Sequence, residues 1–356
     1  MGNIELTFIP RAAERQSGVP AFSKVSSDWT WNDYRGEIKC RISSFRMRYS
    51  VKPGLYAVGE PDKDSDVFVS ANYKLSFDVL RRELKGLNAW ILALDTKGIN
   101  VWCAAGKGTF GTSELINRIN QTNLQNFVAH RRIIVPQLGA VGVNAKTVTQ
   151  KTGFRVYFGP VHARDIPAYV REGYKKTQEM RLVRFNMLDR LVLTPMEINP
   201  AMKRFPLFAL ALLLLFGIQR TGIIFKDAWE GGLPFLIFGL ASVFTGAFLT
   251  PLLLPFIPFR SFAVKGWITG LAAIFTVVHT VGLSSYERAL PLISAYIFFP
   301  FASSYIALQF TGSTTFTGMS GVKKELKIGI PVYLTATAVS LLILIIYKLS
   351  QWNVIK

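Results

Sequence analysis

The stretch Gly98 to Thr112, GINVWCAAGKGTFGT, holds one of only two cysteines in a chain of 356 residues. Cys103 stands between Trp102 and Ala104-Ala105-Gly106-Lys107-Gly108. Glycine beside lysine suggests a phosphate loop, but that loop needs a first glycine where Val101 stands and a Ser or Thr where Gly108 stands. A dinucleotide fingerprint is likewise not expected from Gly106, Gly108 and Gly111. A zinc site needs several Cys, His or carboxylate ligands, and this half of the chain offers only His130 and His162, at no recognisable spacing. A nucleophilic cysteine calls for a histidine base, and no such signature surrounds this one. A flat ligand remains. Ala104, Ala105 and Gly106 carry almost no side chain, so a helix through them can approach a broad planar macrocycle closely. Asn100 and Lys107 fall one turn away from Cys103 on either side, and Asn100 suits the helix start. A buried structural cysteine in a strand–turn–helix corner fits the same residues.

The elements that must position this stretch alternate. GLYAVG, DVFVSA, AWILALD, RRIIVPQLGA and FRVYFGP read as strands. LSFDVLRREL, TSELINRINQTN, NAKTVTQKTG and RDIPAYVREGYKK read as helices. The order predicts an α/β, Rossmann-like domain with a mostly parallel sheet. Ligands of such sheets sit at the carboxyl ends of the strands, where the Cys103 stretch begins just after Asp95. Residues 51–200 are expected to form this domain, behind an N-terminal extension over 1–50. In that extension EIKCRISSF reads as an alternating, strand-like run, and Cys40 within it reads as structural. The first residues show no secretory signal, because Glu5 and Leu6 lead into a strand-like run and not a long apolar core.

Charge and apolarity divide the chain. Up to Arg204 there are 31 basic and 18 acidic residues, and beyond it 10 and 4. Five apolar segments follow, near 206–225, 232–251, 262–283, 290–310 and 328–347, each close to the roughly 20 residues that span a bilayer as helix. They predict an all-α transmembrane domain over 204–350. Lys203, Arg204, Arg260, Lys265, Lys323, Lys324 and Lys327 share one side of a five-span layout, against Lys226, Arg288, Lys348 and Lys356. The positive-inside rule therefore puts the N-terminal domain in the cytoplasm of an inner membrane and the C-terminus outside. His279 is the one titratable residue well inside a span, and hydrogen bonding to a neighbouring helix is its expected role.

The run Asn100-Val101-Trp102-Cys103-Ala104-Ala105-Gly106-Lys107 resembles the cap-helix motif of the HgcA family, the corrinoid proteins of microbial mercury methylation. The flanking sequence from GLYAVGEPDKDSDVFVSANYKLSF to RVYFGPVHARDIP is similar to the corrinoid domain that this family shares with the large subunit of the corrinoid iron–sulfur protein. The resemblance implies a base-off cobalamin with the Cys103 thiolate as lower axial ligand of cobalt, and the D-x-H-x-x-G motif of histidine-ligated corrinoid proteins is absent. It implies a corrin facing the helix from Asn100 to Lys107, and the expected sheet topology then puts the corrin edge near Gly108, Thr109 and Phe110 and the strand-end positions Ser70, Asn72, Gln137, Leu138, Gly139, Ala140, Phe158 and Gly159.

The function implied is a methyltransferase that carries a methyl group on cobalt and passes it to Hg(II). Two cysteines cannot hold an iron–sulfur cluster, which takes about four thiolates. Electrons are therefore expected from a ferredoxin-like partner with two 4Fe–4S clusters, also a possible Hg(II) donor, and the methyl group from a methyl-donor methyltransferase. The bilayer is the remaining partner, and no nucleic acid is expected. The alternatives are a corrinoid methyl carrier of one-carbon, acetyl-CoA-pathway metabolism and a membrane transporter with a cobalamin-sensing domain.

Overall fold

The computed structural model describes residues 22–280 and 289–354. The run after Glu5, Arg288, Lys356 and the end of the third expected span lie outside these residues. Two compact units divide between Val183 and Arg184.

The N-terminal unit is built on a six-stranded sheet of β1 (Ser23–Val25), β2 (Gly54–Val58), β3 (Val67–Ala71), β4 (Ala89–Leu94), β5 (Arg132–Val135) and β6 (Arg155–Phe158), in the order β1-β2-β4-β3-β5-β6. Its helices are α1 (Trp31–Ile42), α2 (Lys74–Glu83), α3 (Val101–Lys107), α4 (Thr112–Gln121), α5 (Ala145–Thr152) and α6 (Ile166–Arg171). All pairings are parallel except β2 with β4. The exception has a chain-length cause. Only a short loop joins β2 to β3, too short for a crossover helix, so β3 must run back against β2, with β4 inserted between them. β4 is buried along its whole length, as its unbroken apolar run requires when both faces are covered. One face packs Val69, Leu92, Val135, Phe110 and Leu115, and the other Phe68, Ile91, Ile134, Leu84 and Tyr169. Burying each such side chain stabilises the unit by about 1.5–3 kcal/mol.

EIKCRISSF is not a strand. It forms the end of α1 and the turn after it, and the cause lies upstream. The Asp33 carboxylate accepts from the Thr30 amide and hydroxyl, both at 2.8 Å, which starts a helix at Trp31. Glu37 and Arg41 then pair one turn apart at 2.8 Å. Cys40 is buried on the inner side, hydrogen-bonded to the Tyr73 side chain. Gly36 is required there, because a Cβ would collide with the Tyr49 hydroxyl.

Four charges fix α1 to α2. Asp33 meets Lys74 at 3.1 Å and Arg81 at 2.9 Å, and Asp78 meets the same two cations at 2.5 and 2.8 Å. Arg81 also donates to the carbonyls of Ser26 and Asp28, at 2.6 and 3.1 Å. Fully hydrogen-bonded partners make burial of these charges tolerable, and removing one would strand the others.

The C-terminal unit holds, among the described residues, five helices long and apolar enough to cross a membrane. They are α7 (Met187–Gly217); α8 (Phe225–Phe244) continued through a π-turn into α9 (Thr250–Leu253); α10 (Phe262–Thr280); α11 (Ala289–Gln309); and α12 (Met319–Gln351). The first span differs from expectation. It begins earlier, and residues 218–223 form a hairpin of β7 (Ile218–Gln219) and β8 (Gly222–Ile223) in place of further helix. The Gln219 amide donates to Asp227 at 2.6 Å there. Small residues let the helices touch: a Cβ on Gly266 or Gly270 would lie 2.9 Å from Ser304 Cα or 3.0 Å from Pro300 Cα. Hydroxyl pairs lie between them, Thr245 with Ser303 at 2.9 Å and Ser294 with Ser340 at 2.6 Å. Glu325 of α12 caps the start of α10, accepting from the Ala263 amide at 2.9 Å. His279 bonds through Nδ1 to the Phe275 carbonyl of its own helix at 2.8 Å, not to a neighbouring helix.

The α1 lock makes a testable pH prediction. Burial opposes the Asp33 charge, but the Thr30 hydrogen bonds, Arg81 and Lys74 outweigh it and hold the carboxyl at about 2. A depressed carboxyl stabilises the fold fully above its unfolded value near 3.9, and that stabilisation is lost as pH falls through about 2. Unfolding midpoints of the N-terminal unit, measured in the intact chain, should place Asp33→Asn below wild type by about 2 kcal/mol at neutral pH, the gap closing between about pH 4 and 2. A gap independent of pH would contradict the assignment.

Candidate functional site

The strand order reverses between β3 and β5, since the chain leaves β3 for β4 on one side and returns to β5 on the other. Such reversal points leave a crevice beyond the carboxyl ends of the strands. β3 and β5 share one register pair there, Phe68 with Ile134. A cavity of about 390 Å³ opens there. Its wall runs from Phe68 and Ile134 past Ser70, Pro136 and Gly159 to Asn100, Val101 and Trp102.

The short helix α3 has local start and stop signals. The Asn100 side-chain oxygen accepts from the Cys103 amide at 2.9 Å, and Gly108 closes the helix at φ +82°, its amide donating to the Ala105 carbonyl at 3.2 Å. The approach from β4 is braced by Asn72. Its side-chain oxygen accepts from the Thr96 amide at 3.0 Å, the Thr96 hydroxyl at 2.8 Å and the Gly98 amide at 3.0 Å. The Asp95 carboxyl is held below its usual range chiefly by the Lys97 ammonium, 2.6 Å away.

Helix phase then decides what faces the crevice. Ala104 and Ala105 turn inward, 0% and 6% exposed, onto the loop Gly139–Gly142. A Cβ on Gly142 would lie 3.3 Å from Ala105 Cα and collide with the Phe110 carbonyl, and one on Gly139 would strike the Phe110 ring. Cys103 is partly exposed, Trp102 is 40% exposed, and a Cβ on Gly106 would meet nothing within 4 Å. The small-residue argument for close approach therefore rests on Gly106 for the outer face, while the two alanines serve the packing beneath.

Of the residues singled out from sequence, the fold brings Ser70, Asn100, Val101, Trp102, Leu138 and Gly159 into one wall. Cys103, Gly106, Lys107 and Gly108 lie on the open side and far end of α3. Thr109 is partly buried, 3.5 Å from the Ala104 carbonyl. Asn72, Phe110 and Gly139 support from within, and Phe158 packs against the core. Gln137 spends its side-chain oxygen on the Lys176 ammonium, whose pKa burial pushes down. Ala140 sits in the turn, its amide donating to the Gln137 carbonyl at 3.1 Å. Tyr73, Leu75, Pro136, Pro160 and His162 also line the cavity. They carry no motif, and their signal was position alone, just beyond strands.

Gly106, Gly108 and Gly111 do have G-x-G-x-x-G spacing. Their context departs from a dinucleotide loop: α3 stands between β4 and the glycines, and Gly106 lies within that helix. Among the described residues no three His, Cys, Asp or Glu side chains gather into a metal-holding group.

Residues 43–170, which include β2 to β6 and α3, match the family model described as CO dehydrogenase/acetyl-CoA synthase delta subunit. The acetyl-CoA decarbonylase/synthase complex subunit gamma of Methanopyrus kandleri is 28% identical over 144 residues, 40% of this chain and 31% of that protein. Its counterpart in Archaeoglobus fulgidus is 29% identical over 131 residues, 36% of this chain and 27% of that protein. The corrinoid/iron–sulfur protein large subunit of Moorella thermoacetica is 30% identical over 123 residues, 34% of this chain and 27% of that protein. The chain thus spans less than a third of the length of these relatives, and the segment holding the crevice and α3 is the part that resembles the acetyl-CoA synthase subunit family.

Proposed function

We propose that the N-terminal unit binds a base-off corrinoid across α3 and the strand-end crevice and carries a methyl group on it, while the C-terminal unit holds it at a membrane. The observation that carries this is the partly exposed Cys103 beside the bare surface at Gly106, on a short helix whose start, Asn100 to Trp102, lines an apolar crevice. A cavity of about 390 Å³ would seat an edge of so large a ligand and leave its face over α3. The residues fit. Asn100 fixes the start of α3, Ala104 and Ala105 fix its depth, Cys103 would supply the axial sulfur, and Ser70, Trp102, Leu138 and Gly159 would hold the ring edge. The bound group supplies cobalt that accepts and releases methyl. The protein supplies one soft donor, and a coordinating thiol is deprotonated outright.

The names of the relatives support a methyl carrier in acetyl-CoA one-carbon chemistry most strongly. The motif at Cys103 favours a second acceptor, Hg(II). Cys103, as a soft and strongly donating thiolate, would make the bound group a better methyl donor to a soft electrophile. In either case electrons come from a separate iron–sulfur partner and methyl from a separate methyltransferase, since two cysteines cannot hold a cluster. The Lys and Arg distribution favours a cytoplasmic N-terminal unit.

Two measurements test this reading. Full-length protein loaded with methylcorrinoid and offered Hg(II) should form methylmercury. Cys103→Ala should lower that rate about 100-fold, and Cys40→Ala should leave it near wild type. Retention of corrinoid with methyl exchange but no methylmercury would leave the one-carbon reading and remove the mercury one; no retention in wild type would remove both. For orientation, reporters before Glu5 and after Lys356 should score on opposite sides of the membrane, the first in the cytoplasm. Matching sides would contradict five spans.

A further inference from the structure

Helix α1 carries several large apolar side chains on its exposed side. Its inner side presents Asp33, Gly36 and Cys40, all buried. Its outer side carries Trp31, Tyr34 and Ile38 at i, i+3 and i+7, exposed by 74%, 45% and 57%, and the turn that follows adds Met47 at 72%. The inner polarity is explained by the charge lock with α2. Among the described residues, Tyr34 packs edge-on against Trp29 at 5.1 Å, while Trp31, Ile38 and Met47 remain largely exposed.

Cations accompany this face. Arg35 and Lys39 flank Trp31 and Ile38 on the helix surface, and Arg48 follows Met47; all three are exposed. None has a carboxylate within ion-pair distance among the described residues. Glu37, the nearest acid on the outer half of the helix, is already paired with Arg41. Helix α1 also lies outside the matched residues 43–170, so it is not part of the segment shared with the relatives.

We infer that the outer face of α1 and its turn is a docking surface for the anionic headgroup layer of a bilayer. Tryptophan and tyrosine beside an aliphatic stripe, rimmed by Arg and Lys, is the composition of a helix that lies in the interface plane. Lys39 stands over the Phe45 ring, 5.7 Å from its centroid, and cations without a carboxylate partner are attracted to an anionic leaflet within a Debye length. The lipid is within reach, because the same chain continues from this unit into α7, the first of its candidate spans. A charged protein partner would match the cations but not the stripe; a second copy would match the stripe but repel through the cations.

The test uses the full chain in nanodiscs, with a fluorophore on Ile38→Cys in a Cys103→Ala background; Cys40 is buried and serves as the folding control by staying unlabelled. In discs of phosphatidylcholine with phosphatidylglycerol, the fluorophore should lose about half its signal to brominated lipid and be shielded from aqueous iodide. Shielding should be lost in pure phosphatidylcholine, in high salt, and in the Arg35→Glu/Lys39→Glu/Arg48→Glu variant. Full iodide access in the anionic discs would overturn the inference. So would shielding that appears only with an added soluble protein, or only when a disc holds two copies.

Discussion

The seating of α3 on the loop Gly139–Gly142 is the contact on which the site depends. The backbone approach is so close that a Cβ on Gly142 would lie 3.3 Å from Ala105 Cα and collide with the Phe110 carbonyl. That contact sets the helix phase. With Ala104 and Ala105 held inward, Trp102, Cys103 and Gly106 have no choice but to face out. The Asn100 cap and the Gly108 stop make the helix only two turns long, so it cannot extend over the crevice it borders. A longer or differently phased helix would bury the sulfur or leave it far from the strand ends.

The sheet supplies the other half of the geometry. β3 and β5 pair through Phe68 and Ile134, at the point where the strand order reverses. Phe68 and Ile134, the two paired residues, form the floor of the cavity. The Asn72 brace then fixes the turn that delivers α3 to its rim. The thiol of Cys103 is partly exposed at that place, on the outer side of α3.

Much of this was legible in the residues. The central strands are short apolar runs bounded by Gly, Pro and Asp, and they lie where their patterns put them. The motif stood out because so few residue types suit both a helix and a close approach. What failed did so for physical reasons. In EIKCRISSF, Ile38 and Ile42 satisfy both the alternating and the helical period, and the deciding signal was the Thr30–Asp33 capping box upstream. The first membrane helix starts before its apolar run, because helix α7 begins at the Asn186 cap among polar residues. The inward turn of Ala104 could not be read at all: helix phase relative to a sheet is a tertiary property. Pro136 and Pro160 could be placed only as strand-end positions, and His162 not at all, since a crevice is made by strand order and not by any local pattern.

The central claim is that Cys103 supplies the protein's axial donor to a corrinoid-held metal. Cobalt-edge X-ray absorption on full-length protein reconstituted with corrinoid tests it most directly, because it reports the atoms bound to the metal independently of any reaction. The account predicts a sulfur scatterer in the first shell of wild type that disappears in Cys103→Ala and persists in Cys40→Ala. A first shell of only nitrogen and oxygen in wild type, or sulfur retained when Cys103 is removed, would contradict it.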